Sequence, residues 1–119
     1  MREVAELNGD GIAGELRDTI HTVNDALGAP VTFRAVDWSL ERREAGDAAL
    51  DEGVEVTRAL GAAMKYPTVT ESVSPNQVLR DRLALAVIHR SCRSYPGVSK
   101  NYTGMLDLHV VRVATGGTY

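Results

Sequence analysis

The chain has 119 residues, 44% of them hydrophobic and 24% charged, with a formal charge of −3. That length points to one small domain, residues 1–119, with enough apolar content for a core. The slight acidic excess argues against nucleic acid as a partner, and no apolar run is long enough to cross a membrane. The opening MREVAELNGDG has no apolar signal region, and a lone cysteine, Cys92, rules out an internal disulfide. Both features point to a reduced thiol in a cytoplasmic protein.

Strand and helix patterns alternate along the chain, which predicts an α/β fold. Residues 2–8 read as a first strand, punctuated by Gly9, Asp10 and Gly11. A helix follows over 12–27, because Leu16, Ile20, Val23 and Leu27 form one apolar stripe. Asp10 is placed to cap its start, and Gly28 with Pro30 to stop it. Residues 31–37 (VTFRAVD) predict a second strand, 39–49 a polar connection, and 51–60 a second helix with Val54, Thr57 and Leu60 on one side. A short strand-like run over 62–65 ends at Pro67, and 68–75 is a turn-rich loop. Ser74-Pro75 opens a helix over 76–83. The apolar run 84–89 (ALAVIH) reads as a central strand, 94–104 as a loop and 107–113 (DLHVVRV) as the last strand. The expected architecture is a mostly parallel sheet of about five strands with about three helices.

Gly9-Asp10-Gly11-Ile12-Ala13-Gly14 satisfies G-x-G-x-x-G between a strand and a helix, with acidic Asp37 23 positions after Gly14. That is the context of a dinucleotide phosphate loop, in which bare amides approach a pyrophosphate. Glycines also sit at such turns for conformational reasons alone, and the Asp10 carboxylate stands where phosphate charge would lie. Both readings are open on pattern.

A longer ordered series starts at Lys65. It comprises Lys65-Tyr66-Pro67-Thr68-Val69-Thr70, Ser74-Pro75-Asn76, Leu79-Arg80, His89-Arg90, Pro96-Gly97, Val111-Arg112 and Thr115-Gly116-Gly117-Thr118-Tyr119. Together with Gly9-Asp10-Gly11-Ile12 and Glu15, this series resembles the first part of the metal-dependent β-decarboxylating dehydrogenases, isocitrate and 3-isopropylmalate dehydrogenase. The resemblance runs from residue 4 to 119. It departs from the family where Ala13 replaces a glycine and Gly14 a proline, so the G-x-G-x-x-G match is partly a product of the departure. The resemblance implies that the GDG turn is architectural.

Carried over by position, the resemblance implies an anion site. Ser74 and Asn76 would donate hydrogen bonds to a substrate carboxylate, and Arg80, Arg90 and Arg112 would hold the carboxylates and hydroxyl. Tyr119 would be the catalytic acid, and Lys65 and Thr70 would lie at the nicotinamide end of a cofactor. Guanidinium forks suit a polycarboxylate on physical grounds as well. Arg90 and Arg112 end apolar runs, whereas Arg17, Arg42, Arg43 and Arg58 read as solvated surface charges. The chain stops before the family's catalytic lysine, metal aspartates and adenine loop. No metal residues are therefore assigned, and no cofactor is expected for the isolated chain. NAD(P) and Mg²⁺ or Mn²⁺ enter only if a partner chain completes the site. His21 reads as exposed on the first helix. His89 and His109 lie in strands and can pair, without a third ligand for a metal.

The functional expectation is a truncated family-like protein that binds a hydroxy- or oxo-polycarboxylate. Proton transfer, isomerisation or elimination would be the available chemistry, with Tyr119 as acid–base. The alternatives are a non-catalytic binding subunit and one part of a split oxidative decarboxylase. Three helices cannot cover both faces of five strands, so a homodimer, or a heteromeric partner, is expected to cover the rest.

Overall fold

Seven residues, Arg2–Asn8, form strand β1, which is the middle strand of a parallel sheet in this computed structural model. The structure describes residues 2–98 and 106–115. After β1 come helix α1 (Ala13–Ala26), strand β2 (Val31–Asp37), helices α2 (Leu40–Glu44) and α3 (Ala48–Leu60), and strand β3 (Ala63–Lys65). Helix α4 (Pro75–Arg82), strand β4 (Val87–Arg93) and strand β5 (Asp107–Val113) follow. The fold is α/β. Two compact units divide the chain, with the boundary after Leu79.

In the first unit the strand order is β2-β1-β3. β1 runs parallel to β2 from Arg2↔Val31 to Asn8↔Asp37, and to β3 from Ala5↔Ala63 to Leu7↔Lys65. Alternation along the strands separates two faces. Ala5, Leu7 and Val36 share the face packed against α3, and all three are buried. The helix supplies Ala49, Leu50 and Val54 to this core. Trp38 is fully buried there, and its indole N–H donates to the Ala49 carbonyl at 2.6 Å. Gly53 lies flat against the indole, and a Cβ at that position would overlap the ring. The other face carries Val4, Glu6, Phe33 and Met64 under α1.

In the second unit β4 and β5 pair antiparallel over seven positions, from Val87↔Val113 to Arg93↔Asp107. The expected mostly parallel sheet of five strands is therefore corrected to a three-stranded parallel sheet and a two-stranded antiparallel ribbon. A parallel pair needs a crossover, usually a helix, whereas an antiparallel pair needs only a hairpin link. The strand expected over 84–89 starts at Val87 instead and runs on through Arg93. Ala84 adopts a positive φ of 53°, which is incompatible with an extended chain at that residue. The polar residues Ser91 and Arg93 join the strand because β5 continues opposite them.

The polar stretch 39–49, expected to be a connection, contains α2 and the first turn of α3. Asp10 caps α2 and not α1: its Oδ1 accepts the Leu40 amide at 2.6 Å. Gly61 ends α3 in the left-handed region at φ 73°, the conformation glycine reaches without a Cβ penalty.

The Trp38–Gly53 contact gives a test of core packing. Alanine at position 53 gains helix propensity but has no room beside the indole. Gly53→Ala is expected to lose about 1–3 kcal/mol in urea unfolding. A gain in stability would show that the indole has space to move aside.

Candidate functional site

Parallel strands β1, β2 and β3 point their carboxyl ends the same way, so Asn8, Asp37 and Lys65 finish at one edge of the sheet. Ligands of open α/β sheets bind outside this edge. Here it gathers the Gly9–Gly11 turn, the start of α2 and the segment 66–69.

Asp10 organises the edge. Besides the Leu40 amide, its carboxylate accepts the Val69 amide at 2.9 Å and Arg43 Nη2 at 2.7 Å. Arg43 in turn donates from Nε to the Trp38 carbonyl and from Nη2 to the Val69 carbonyl, both at 2.9 Å. The two side chains are only 11% and 6% exposed. Arg43 is therefore not the solvated charge expected from its polar surroundings. Burial pushes the Asp10 carboxyl up, but the two amides and the guanidinium outweigh it and hold the group below the ordinary aspartate range. The backbone closes the same junction: the Asp10 amide donates to the Pro67 carbonyl at 2.8 Å. Gly9 is required there, since a Cβ would collide with that carbonyl. Asp37 stays local, accepting the Ser39 amide at 3.1 Å, which lowers its pKa.

Lys65 is half-buried beside this junction. Its Nζ donates to the Tyr66 carbonyl at 2.8 Å and to Thr68 Oγ1 at 3.0 Å. Burial, then the Arg43 charge, lowers its pKa, with Asp10 opposing. Thr70, the other residue assigned to a cofactor, is exposed.

A second polar cluster lies on the α1 side. Glu6 is 2% exposed, and its Oε1 accepts the Tyr66 hydroxyl at 3.0 Å and lies 2.6 Å from His21 Nε2. His21 is only part-exposed, contrary to expectation, and its ring stacks on Phe33 at 4.7 Å. Burial, then the bond to Glu6, pushes the Tyr66 phenol well above the ordinary tyrosine range. The available signal for this cluster was a carboxylate, Glu6, set between the apolar residues Ala5 and Leu7 in the middle of β1.

Of the residues assigned to the anion site, Ser74 is half-buried before α4, and its carbonyl accepts the Gln77 and Val78 amides. Asn76 is exposed in the first turn of that helix, and Arg80 is half-buried further along it. On the ribbon, Ile88 pairs with Arg112 and Arg90 with Val110. Arg90 and Arg112 therefore share one face at diagonal positions, together with Ile88, Cys92, Leu108 and Val110. Both arginines are exposed, as is the free thiol of Cys92. The opposite face carries His89 and His109, which do pair: Nε2 and Nδ1 are 2.8 Å apart, and the rings stack at 5.0 Å. Tyr119 lies outside the described residues.

The described residues contain no group of three His, Cys, Asp or Glu able to hold a metal ion. They do not fit the divalent ion implied by the resemblance. Comparison with protein-family models and with curated proteins returned no match.

The Asp10–Arg43 pair has a defined pH signature. A carboxyl whose folded pKa is depressed contributes stability above its unfolded pKa and loses it as pH falls through the folded value. Asp10→Asn is expected to cost about 3–5 kcal/mol near neutral pH, because it leaves Arg43 buried without a counter-charge. The deficit should begin to shrink as pH falls past about 4, where Asp10 of the unfolded chain takes up its proton, and go on shrinking down through the lower pH at which the folded carboxyl is protonated. Urea melts of both proteins across that range check this. A pH-independent deficit would contradict it.

Proposed function

We propose that this chain is an isocitrate/3-isopropylmalate dehydrogenase-like protein that binds a hydroxy- or oxo-polycarboxylate. The observation that carries this reading is the shared ribbon face of Arg90 and Arg112. Two guanidinium groups at diagonal positions offer two planar forks to carboxylates a few ångströms apart. The resemblance also assigns Arg80, Ser74 and Asn76 to carboxylate binding. Tyr119 is the proposed acid–base for proton transfer, isomerisation or elimination beside a carboxylate. Lys65 and Thr70 are assigned to the nicotinamide end of a cofactor on the strength of the resemblance. A free thiol at Cys92 fits a reducing compartment such as the cytoplasm.

Thermal melting with citrate, isocitrate, isopropylmalate and tartrate, with and without Mg²⁺, tests the reading. Ligand-specific stabilisation follows mass action. Arg112→Ala is expected to weaken polycarboxylate binding by about 2–3 kcal/mol while keeping its circular dichroism. Unchanged affinity in a folded variant removes the assignment.

A second reading, an interaction subunit, is favoured by the ribbon's exposure. Val87, Val111 and Val113 are exposed on one face, and Leu108 and Val110 on the other. A two-stranded ribbon is marginal in water without a covering layer. We propose a second copy of this chain as the cover, with a heteromeric partner as the alternative. Light scattering at micromolar concentration should give a dimer or larger species. A stable monomer with the ribbon formed would overturn this.

A further inference from the structure

Antiparallel pairing divides the residues of β4 and β5 between two faces. One face carries Arg90 and Arg112. The other carries Val87, His89, Ser91 and Arg93 from β4, with Asp107, His109, Val111 and Val113 from β5. His89 stands opposite Val111 and His109 opposite Ser91, so the two imidazoles are diagonal neighbours in the middle of the ribbon. They meet across the strands, with His89 Nε2 2.8 Å from His109 Nδ1.

That distance is a hydrogen bond between two nitrogens, and it fixes a proton count. One nitrogen carries the hydrogen and the other is bare, because an imidazolium has N–H on both nitrogens and accepts nothing. The contact therefore holds with the pair neutral or carrying one extra proton, and fails with two. Double protonation turns two N–H groups toward each other and sets two like charges in contact. Imidazole is the side chain that ordinarily changes charge between about pH 5 and 8. The other charged groups of this face are Arg93 and Asp107, which pair with each other at 3.0 Å. Asp107 Oδ1 also lies 3.8 Å from His109 Nε2, where it favours a proton on that ring while Arg93 opposes it. Neither group supplies an acceptor between the two rings.

We propose that His89 and His109 form a proton-operated latch between β4 and β5, closed while the rings share a hydrogen and open in mild acid, where both rings are charged. A two-stranded ribbon is marginal in water, so one cross-strand bond in its middle counts for much of its pairing. The same register holds Arg90 and Arg112 on one face, and opening the ribbon takes that face apart. Loss of anion binding in acid follows, and that consequence rests on the polycarboxylate reading. The latch rests on the ribbon alone, and its test uses no ligand.

Amide hydrogen exchange of the full chain, read as protection of the β4 and β5 amides, is compared at about pH 7.5 and about pH 5.5, on either side of the ordinary imidazole range. Wild-type protection is expected to fall about fivefold on acidification, as for one net hydrogen bond. His89→Gln and His109→Gln each leave one imidazole that charges with no like charge across the strand. Their protection is expected to change less than about twofold. In the wild type, the ring C–H shifts of both histidines should follow two shared steps on titration, because the first proton serves both rings. Unchanged wild-type protection overturns the proposal. So does an equal fall in either variant, which would place the acid response outside the pair. Two independent single-step titrations overturn it without recourse to a variant.

Discussion

The junction between Asp10 and Arg43 is the constraint on which the first unit depends. One carboxylate holds the β1–α1 turn, the start of α2 and the strand-like segment after β3. Removing a charged pair from water costs several kcal/mol per ion before any attraction is counted. Here Asp10 accepts from three internal donors, and Arg43 also donates to two backbone carbonyls. The pair is therefore tied to backbone on both sides, and it fixes where three chain segments meet at the carboxyl edge of the sheet. It also determines the character of that edge. A carboxylate held by three internal donors is engaged within the fold, and its charge disfavours a phosphate beside it. The G-x-G-x-x-G pattern thus serves as a joint, with Gly9 making room for the Pro67 carbonyl and Gly11 turning at φ 58°.

Local patterns made much of the first unit readable. The bounds of β1 and β2 are those expected, and α1 differs by one residue at each end. Those elements are specified by alternation or by a helical stripe within one stretch of chain. The features that escaped share one property: their cause lies far along the chain. α2 has a polar sequence with no local cap, and its cap comes from Asp10, 30 residues upstream. Arg43 sits in a run, Leu40 to Glu44, that reads as a solvated face, and only the distant carboxylate explains its burial. His21 looked exposed on the helical wheel, yet Glu6 and Phe33 draw it onto the sheet. The start of β4 was misplaced by three residues because register is set by the partner strand, and nothing within ALAVIH marks where pairing with β5 begins.

The candidate anion residues were assigned in a different way. Their spacing belongs to an ordered series and not to a periodicity, so position in the series assigned them while local pattern said little. What pairing adds is that Arg90 and Arg112, 22 positions apart in sequence, occupy one ribbon face. The strand alternation that puts them together also sets Ile88, Leu108 and Val110 beside them.

That mixture of cation and hydrocarbon links the two proposed properties of the ribbon. Covering the face with another chain gains apolar burial, about 25 cal/mol per Å². The same covering strips water from guanidinium groups, and taking a charge out of water costs several kcal/mol before any pairing is counted. A polycarboxylate resting on Arg90 and Arg112 offsets part of that cost, because it brings negative charge and accepts guanidinium N–H groups while the aliphatic neighbours are covered. On this reading, ligand binding and association are not independent events on the ribbon. Each lowers the desolvation cost of the other, and thermodynamic reciprocity requires the coupling to run with equal strength in both directions.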